Sequence, residues 1–243
     1  LSALGLANWT PPEPLSYTAR ASDVFASGRF DARFFAPRIQ ALLDLLAVDG
    51  RTISDVADPR REKFRPDACA AFDYIEISDI DGAGAATSTR LASEDAPSRA
   101  IWHVRAGDII PSTVRPIRRL SAQITPEQEG FVCSSGFVVV TPRDIAPEVL
   151  LTYLRLPVIC ELLDLFASAS MYPAITDADI FNLPLPNIPD AVADQVTQNV
   201  IAAKDAKARA ASMLEAAKRA VEIAIEDGEP AAMAYLDQAK GAI

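Results

Sequence analysis

The sequence has one histidine, His103, in 243 residues. Imidazole-based acid–base or nucleophilic chemistry therefore has a single place to sit. That place lies between Trp102 and Val104 in an apolar stretch, where a structural histidine is the expectation. Cysteine is nearly as scarce. Cys69, Cys133 and Cys160 form an odd, widely spaced set that gives neither a disulfide framework nor a zinc motif, so free thiols in a reducing cytoplasm are expected. No apolar run is long enough to span a bilayer. The longest, around 149–169, is broken by Arg155, Pro157, Glu161 and Asp164. There is no glycine-rich phosphate loop and no His/Cys/Asp cluster at metal spacing. The aminomethyltransferase tetrapeptide is missing, since Pro11-Pro12 is followed by Glu13, and Pro66-Asp67 has no acid-x-lysine after it. Asp79, Asp81, Glu94 and Asp95 match no cation-binding loop and read as solvated acids.

Positive charge is also short. The net charge is −10 and the pI about 4.6, which argues against a plain electrostatic binder of nucleic acid. The distribution softens the objection. Lys63 is the one lysine before position 200, so the first two hundred residues carry their cations as arginine. Arg99, Arg105, Arg115, Arg118 and Arg119 share the segment 99–119 with Asp108 as its one acid. Arg60, Arg61, Lys63 and Arg65 form a smaller group. Arginine grips guanine edges and phosphates bidentately, which lysine cannot do. A solvated face that offsets the many acids is the competing explanation.

At 50% hydrophobic and 23% charged residues, the composition supports one sizeable core. Residues 1–28 read as irregular because Pro11-Pro12-Glu13-Pro14 forbids a helix. Asp31 is placed to cap a helix starting near Ala32, with Phe35, Ile39, Leu42, Leu43 and Leu46 on one face. The segment 72–77 alternates as a half-buried strand. Residues 79–97 read as a loop. Strands are expected over 100–104, around Ile109-Ile110, over 121–125 and along the apolar run Phe137–Val140. Polar breaks at Pro111-Ser112-Thr113 and Cys133-Ser134-Ser135-Gly136 interrupt this sheet. After Pro142 the period changes, and two helices split by Pro157 follow. Thr176 or Asp177 opens a short helix. From Asp190 to Asp227-Gly228 nothing breaks a helix, which would extend roughly 55 Å at 1.5 Å per residue. Its apolar positions step by fours and threes through Val196, Val200, Ala203, Ala210, Leu214, Ala217, Val221 and Ala224, with Lys207 as the exception. That is a heptad seam, which predicts pairing with another long helix. A helix packed along its own domain is the alternative.

GDIIPSTVRP (107–116) and VCSSGFVVVTP (132–142) resemble the target recognition domain of the DNA specificity subunit of type I restriction-modification systems. RFDARFFAPR (29–38), DYIEISDID (73–81), the helical stretch from Pro147 to Phe166, YPAITDADIFNLPLPNIP (172–189) and the alanine-rich tail fit the same pattern in the same order. The resemblance implies an α+β fold. A globular recognition domain, 1–189, carries a short-stranded mixed sheet with flanking helices, and 190–243 forms a long coiled-coil helix with a short terminal one. It implies a non-catalytic, cytoplasmic reader of one half of a split target in double-stranded DNA. No cofactor is then expected in this chain, since S-adenosylmethionine belongs to the partner methyltransferase subunits, which the helix would dock. The chain would be half of the two-domain plan, completed by a second half-subunit or a homodimer, and its start at Leu1 fits an excised piece. Carried over by position, the DNA face comprises Ser112, Thr113, Arg115, Arg118, Arg119, Ser134 and Ser135, with Arg90 and Arg99 from the polar loop and Tyr172. The alternative function is an acidic protein–protein scaffold built on the coiled-coil tail.

Overall fold

The computed structural model describes residues 16–167 and 173–242. The chain divides into two compact units, Leu1–Ala193 and Asp194–Ile243. In the first, α1 (Ala21–Ser27) and α2 (Pro37–Leu46) lead into β1 (Ala57–Pro59), β2 (Ala71–Ile75), β3 (Thr89–Ala92), β4 (Ala100–His103), β5 (Ile109–Pro111), β6 (Ser121–Gln123), β7 (Val132–Ser134) and β8 (Val140–Pro142). Three helices follow, α3 (Pro147–Leu154), α4 (Pro157–Phe166) and α5 (Asp177–Phe181). The strands form two four-stranded sheets rather than one. One, in the order β1-β8-β5-β6, is antiparallel, and the other, β3-β2-β7-β4, is mixed through a parallel β2–β7 pair.

Several boundaries depart from the sequence reading. Asp31 does not open α2. Its carboxylate accepts from the Phe34 N–H in a local turn, and the helix begins at Pro37, where proline is tolerated because its missing N–H would have no intrahelical partner. Residues 21–27 are helical although nothing on α1 is buried. Thr89–Ala92 is a strand inside the expected loop, paired with β2 along a largely exposed edge that leaves no hydrophobic alternation to read. Phe137–Val140 is fully buried as expected, but regular pairing starts at Val140. Phe137 makes an isolated bridge to Ser112, and Val138 N–H donates to Pro111 O. The break at Pro157 and the Thr176 cap stand where the sequence puts them.

The main core joins α2, α3, α4 and α5 to one face of the antiparallel sheet, through Ile39, Leu42, Leu46, Leu150, Leu154, Ile159, Leu162 and Ile180. A second cluster, Ile75, Val104, Ile110, Ile124, Cys133, Phe137 and Val139, lies between the two sheets. Asp108 is 1% exposed and anchors this region. Its carboxylate accepts from Arg60 Nε (2.7 Å), Thr141 Oγ1 (2.7 Å) and the Arg105 N–H (2.8 Å), so its charge is both paired and hydrogen-bonded. Burial pushes the Cys133 thiol far up and the Cys160 thiol to about 11.

In the second unit α6 (Asp190–Glu226, 37 residues, starting in the first unit) is followed by α7 (Glu229–Ala242). Gly228, at φ +89°, makes the turn between them. Ala216 and Ala220 of α6 and Ala232 of α7 are buried, and Ala216 lines a cleft together with Tyr235 and Ala239 of α7. Leu214, Ala217 and Val221 lie roughly 120° around α6 from that stripe, counting 3.6 residues per turn. Leu214 is 57% exposed and Val221 61%, beside the exposed Met213 and Ile225. Among the described residues no helix is long and apolar enough to cross a membrane.

Candidate nucleic-acid interface

The segment 112–119 connects β5 to β6. Ser112 is buried, and its hydroxyl donates to Val114 O (3.1 Å) and accepts from the Val114 N–H (3.2 Å), closing a local turn. Thr113 donates to Gly136 O through both its N–H (2.8 Å) and its hydroxyl (3.0 Å). The two polar breaks, 111–113 and 133–136, are thereby joined in space. Val114 bridges Ala174, and the Arg115 N–H donates to Pro173 O (3.0 Å).

Residues 115–119 then form a tight protrusion. Pro116–Arg118 is a single 3-10 turn flanked by two left-handed residues, Arg115 (φ 50°) and Arg119 (φ 60°). Among the described residues these are the only non-glycine positions with positive φ. Such a conformation costs an L-residue on the order of 1–2 kcal/mol, so the surroundings must hold it. Pro116 is buried, and the turn packs on α4. Arg155, at the C-terminus of α3, clasps the turn from behind. Its guanidinium donates to Arg119 O (2.7 Å), Ser121 O (2.8 Å) and Gly82 O. Arg119 Nε returns a bond to Arg155 O (2.8 Å). Burial, with Arg119 nearby, pulls the Arg155 pKa below its ordinary value. Gly84 leaves room for this clasp, because a Cβ there would sit 3.2 Å from Arg155 Cζ and 3.1 Å from Ser121 O.

The clasp fixes the backbone and leaves Arg115, Ile117 and Arg118 exposed at the tip. Arg118 also lines a cavity of about 370 Å³ with Glu76, Ile77, Ser78, Ile80, Arg99, Leu120 and Ser134. This cavity lies just past the C-terminal ends of the parallel strands β2 and β7 and at the start of β4. Among the described residues, neither Arg99, Arg115 nor Arg118 makes an ion pair.

The expected site residues therefore sort into groups. Arg99, Arg115, Arg118 and Ser135 are exposed around the two joined breaks, and Ser135 N–H donates to Arg99 O (2.7 Å). Ser112, Thr113 and Ser134 stand at the same place with their hydroxyls engaged internally, Ser134 Oγ accepting from the Gly136 N–H (3.2 Å). The Ser112 and Thr113 hydroxyls donate to main-chain carbonyls, and among the described residues Ser134 Oγ only accepts. Arg119 serves the clasp. Arg90 lies on the edge strand β3, ion-paired with Asp73. Tyr172 lies outside the described residues. Glu129, a potential partner for Arg118 or Arg119, instead pairs with Arg105 (3.0 Å) and accepts from the Ala106 N–H (2.6 Å). Arg155 and Glu76 stand at this place in the structure and are not among the residues the sequence points to. In the sequence Arg155 is a charge that interrupts an apolar run, and Glu76 is a polar residue of the alternating segment 72–77.

His103 has a structural setting, with Nδ1 3.1 Å from Gly130 O and the ring edge-on to Phe64. Among the described residues no group of three or more His, Cys, Asp or Glu is placed to hold a metal ion.

The scaffold has solved counterparts. A chain from a study of the structural basis of complex assembly and conformational transition of the type I R-M system superposes with a TM-score of 0.56 and 28% identity, over 71% of this chain and 46% of that one. The HsdS subunit from Thermoanaerobacter tengcongensis superposes with a TM-score of 0.53 and 26% identity, again over 71% and 46%. The fold is that of part of an HsdS chain. This chain spans about half the length of those HsdS-type chains, 46% of each. No family model and no curated protein matches it. The HsdS likeness fits the α+β architecture, with two small sheets, flanking helices and the long α6.

Proposed function

We propose that this chain is the DNA-reading half of a type I restriction-modification specificity subunit and carries no catalytic centre of its own. One observation carries the assignment. On an HsdS-like scaffold, a clasped turn with two left-handed arginines holds Arg115 and Arg118 outward beside Arg99. Exposed guanidiniums on a rigid backbone suit groove edges and phosphates, where positioning contacts outnumber base contacts.

In this account the chain reads one half of a split target in double-stranded DNA. The seam of α6, with Leu214 and Val221 exposed, pairs with a second half-subunit or with another copy of the chain. Two copies related by a two-fold axis would read a palindromic split site. Methyltransferase subunits dock on the helical part, bind S-adenosylmethionine and supply much of the backbone grip that a chain of net charge −10 lacks. The location is cytoplasmic. The net acidity favours the second reading, a protein–protein scaffold.

Selection from a random duplex library by the chain assembled with methyltransferase subunits separates the two. DNA reading predicts one enriched bipartite motif. Recovery of no motif, with salt-insensitive binding to random duplex, would leave the scaffold.

A further inference from the structure

The cavity behind the turn contains a group that a purely cationic DNA face would not have. Glu76 lines it together with Arg99 and Arg118. Among the described residues none of these three charges makes an ion pair with another or with any other side chain. Their sum is one positive charge, so the carboxylate sits at a surface that still attracts phosphate. The carboxylate is also well placed. Glu76 opens a 3-10 turn at the end of β2 in a reciprocal capping box: its carboxylate faces the Asp79 N–H, which orients it and leaves acceptor capacity for a base, and the Asp79 carboxylate accepts the Glu76 N–H at 2.7 Å. Ile77, Ile80 and Leu120 form apolar walls.

A carboxylate can only accept, and a guanidinium can only donate, in a fixed fork. The fork is satisfied best by two adjacent acceptors. In the major groove, a G·C pair offers adjacent acceptors on guanine O6 and N7, with the cytosine N4 amino donor beside them. An A·T pair places the adenine amino donor between its acceptors. We propose that Glu76 is a specificity-determining residue which, with Arg118, reads a single G·C pair, Arg118 on guanine and Glu76 on the cytosine amino group. The proposal rests on DNA reading by this face and names a base pair within it. Glu76 then works by exclusion as much as by attraction. Any pair that turns an acceptor toward it meets an unpaired negative charge, which is how a binder rejects a near relative of its target. Arg99 balances the carboxylate against the phosphates.

The test compares wild type with Glu76→Gln and Arg118→Lys, each as the full chain assembled with methyltransferase subunits, by selection from a random duplex library. Glutamine keeps the shape of Glu76 but both donates and accepts. Lysine keeps the charge of Arg118 without the fork. Wild type is expected to enrich G·C at one position. Glu76→Gln is expected to lower discrimination at that position roughly tenfold, while binding to non-target duplex stays level or tightens because a negative charge is gone. Arg118→Lys is expected to lower discrimination at the same position. An unchanged motif in Glu76→Gln would overturn the proposal. So would effects of the two variants at different positions, or a uniform weakening on every sequence, which is what a merely structural role would give. A wild-type assembly that enriches no sequence would instead overturn DNA reading itself.

Discussion

Arg155→Ala is the sharpest probe of how the turn at 115–119 is held. The guanidinium makes three charge-assisted bonds to main-chain carbonyls, of Arg119, Ser121 and Gly82. Arg119 and Gly82 are exposed, so water replaces those two bonds and each loss costs little. Ser121 is 6% exposed, and its carbonyl loses a charged donor with poor access to water. A hydrogen bond to a charged group contributes about 1.5–3 kcal/mol, so the expected loss is about 2–3 kcal/mol in all. For a domain of this size that lowers Tm by roughly 4–12 °C. Arg155→Lys keeps the charge but cannot fork to three carbonyls, so it should fall between the two. Thermal denaturation followed by circular dichroism gives the order wild type, Lys, Ala. The clasp also opposes the left-handed strain at Arg115 and Arg119, so both variants should sharpen proteolysis at the turn before global unfolding. A loss under about 1 kcal/mol for Arg155→Ala, or turn cleavage no faster than in wild type, would refute the clasp.

Arg115→Ala removes an exposed guanidinium from the tip and should cost roughly 1–3 kcal/mol of discrimination at about one base pair, read as a relaxed selection motif. An unchanged motif would exclude base contact by Arg115. Replacing Leu214 and Val221 by glutamate puts charge on the exposed seam of α6 and should lower the mass measured by sedimentation, whereas equal masses would remove helix pairing. Of the three thiols Cys69 is exposed and Cys133 and Cys160 are buried, so a native-state thiol reagent should label one cysteine rapidly and the other two only on unfolding. Glu161 is held below its ordinary pKa by its hydrogen bond from Arg38, with its partial burial working the other way. Its contribution is therefore present above about pH 4.5 and lost as pH falls through the lowered value. Glu161→Gln should be less stable than wild type by up to about 1 kcal/mol at pH 7, the gap should close as pH falls through the lowered value, and a gap that stays constant on acidification would contradict the linkage.

Where the sequence carries strong periodicity, the fold is legible in it. The α3–α4 break, the Thr176 cap and the uninterrupted α6 follow from proline, a capping threonine and a 37-residue run without a breaker. Short strands are less visible. β3 has no buried alternation, and Phe137–Val139 is buried by its surroundings and not by ladder pairing. The arginines at 115 and 118 stood out because lysine is absent around them. Their neighbours' roles did not, because a hydroxyl that shapes a loop and one that reads a base look alike in sequence. Ser112 and Ser134 each make a local bond within their loop that sequence does not reveal. Arg155 could not be found from spacing, since its partners are carbonyls 34, 36 and 73 positions away.

Apart from the buried Pro116, the ties around residues 113–121 run largely to main-chain oxygens. Pro173 and Gly136 offer carbonyls, and Arg155 grips oxygens that every amino acid possesses. What projects at 117 and 118 is thus decoupled from what keeps the loop in place. New side chains can be written there without unmaking the support, so if this loop reads DNA as proposed, a change of preferred sequence need not pass through an unfolded ancestor.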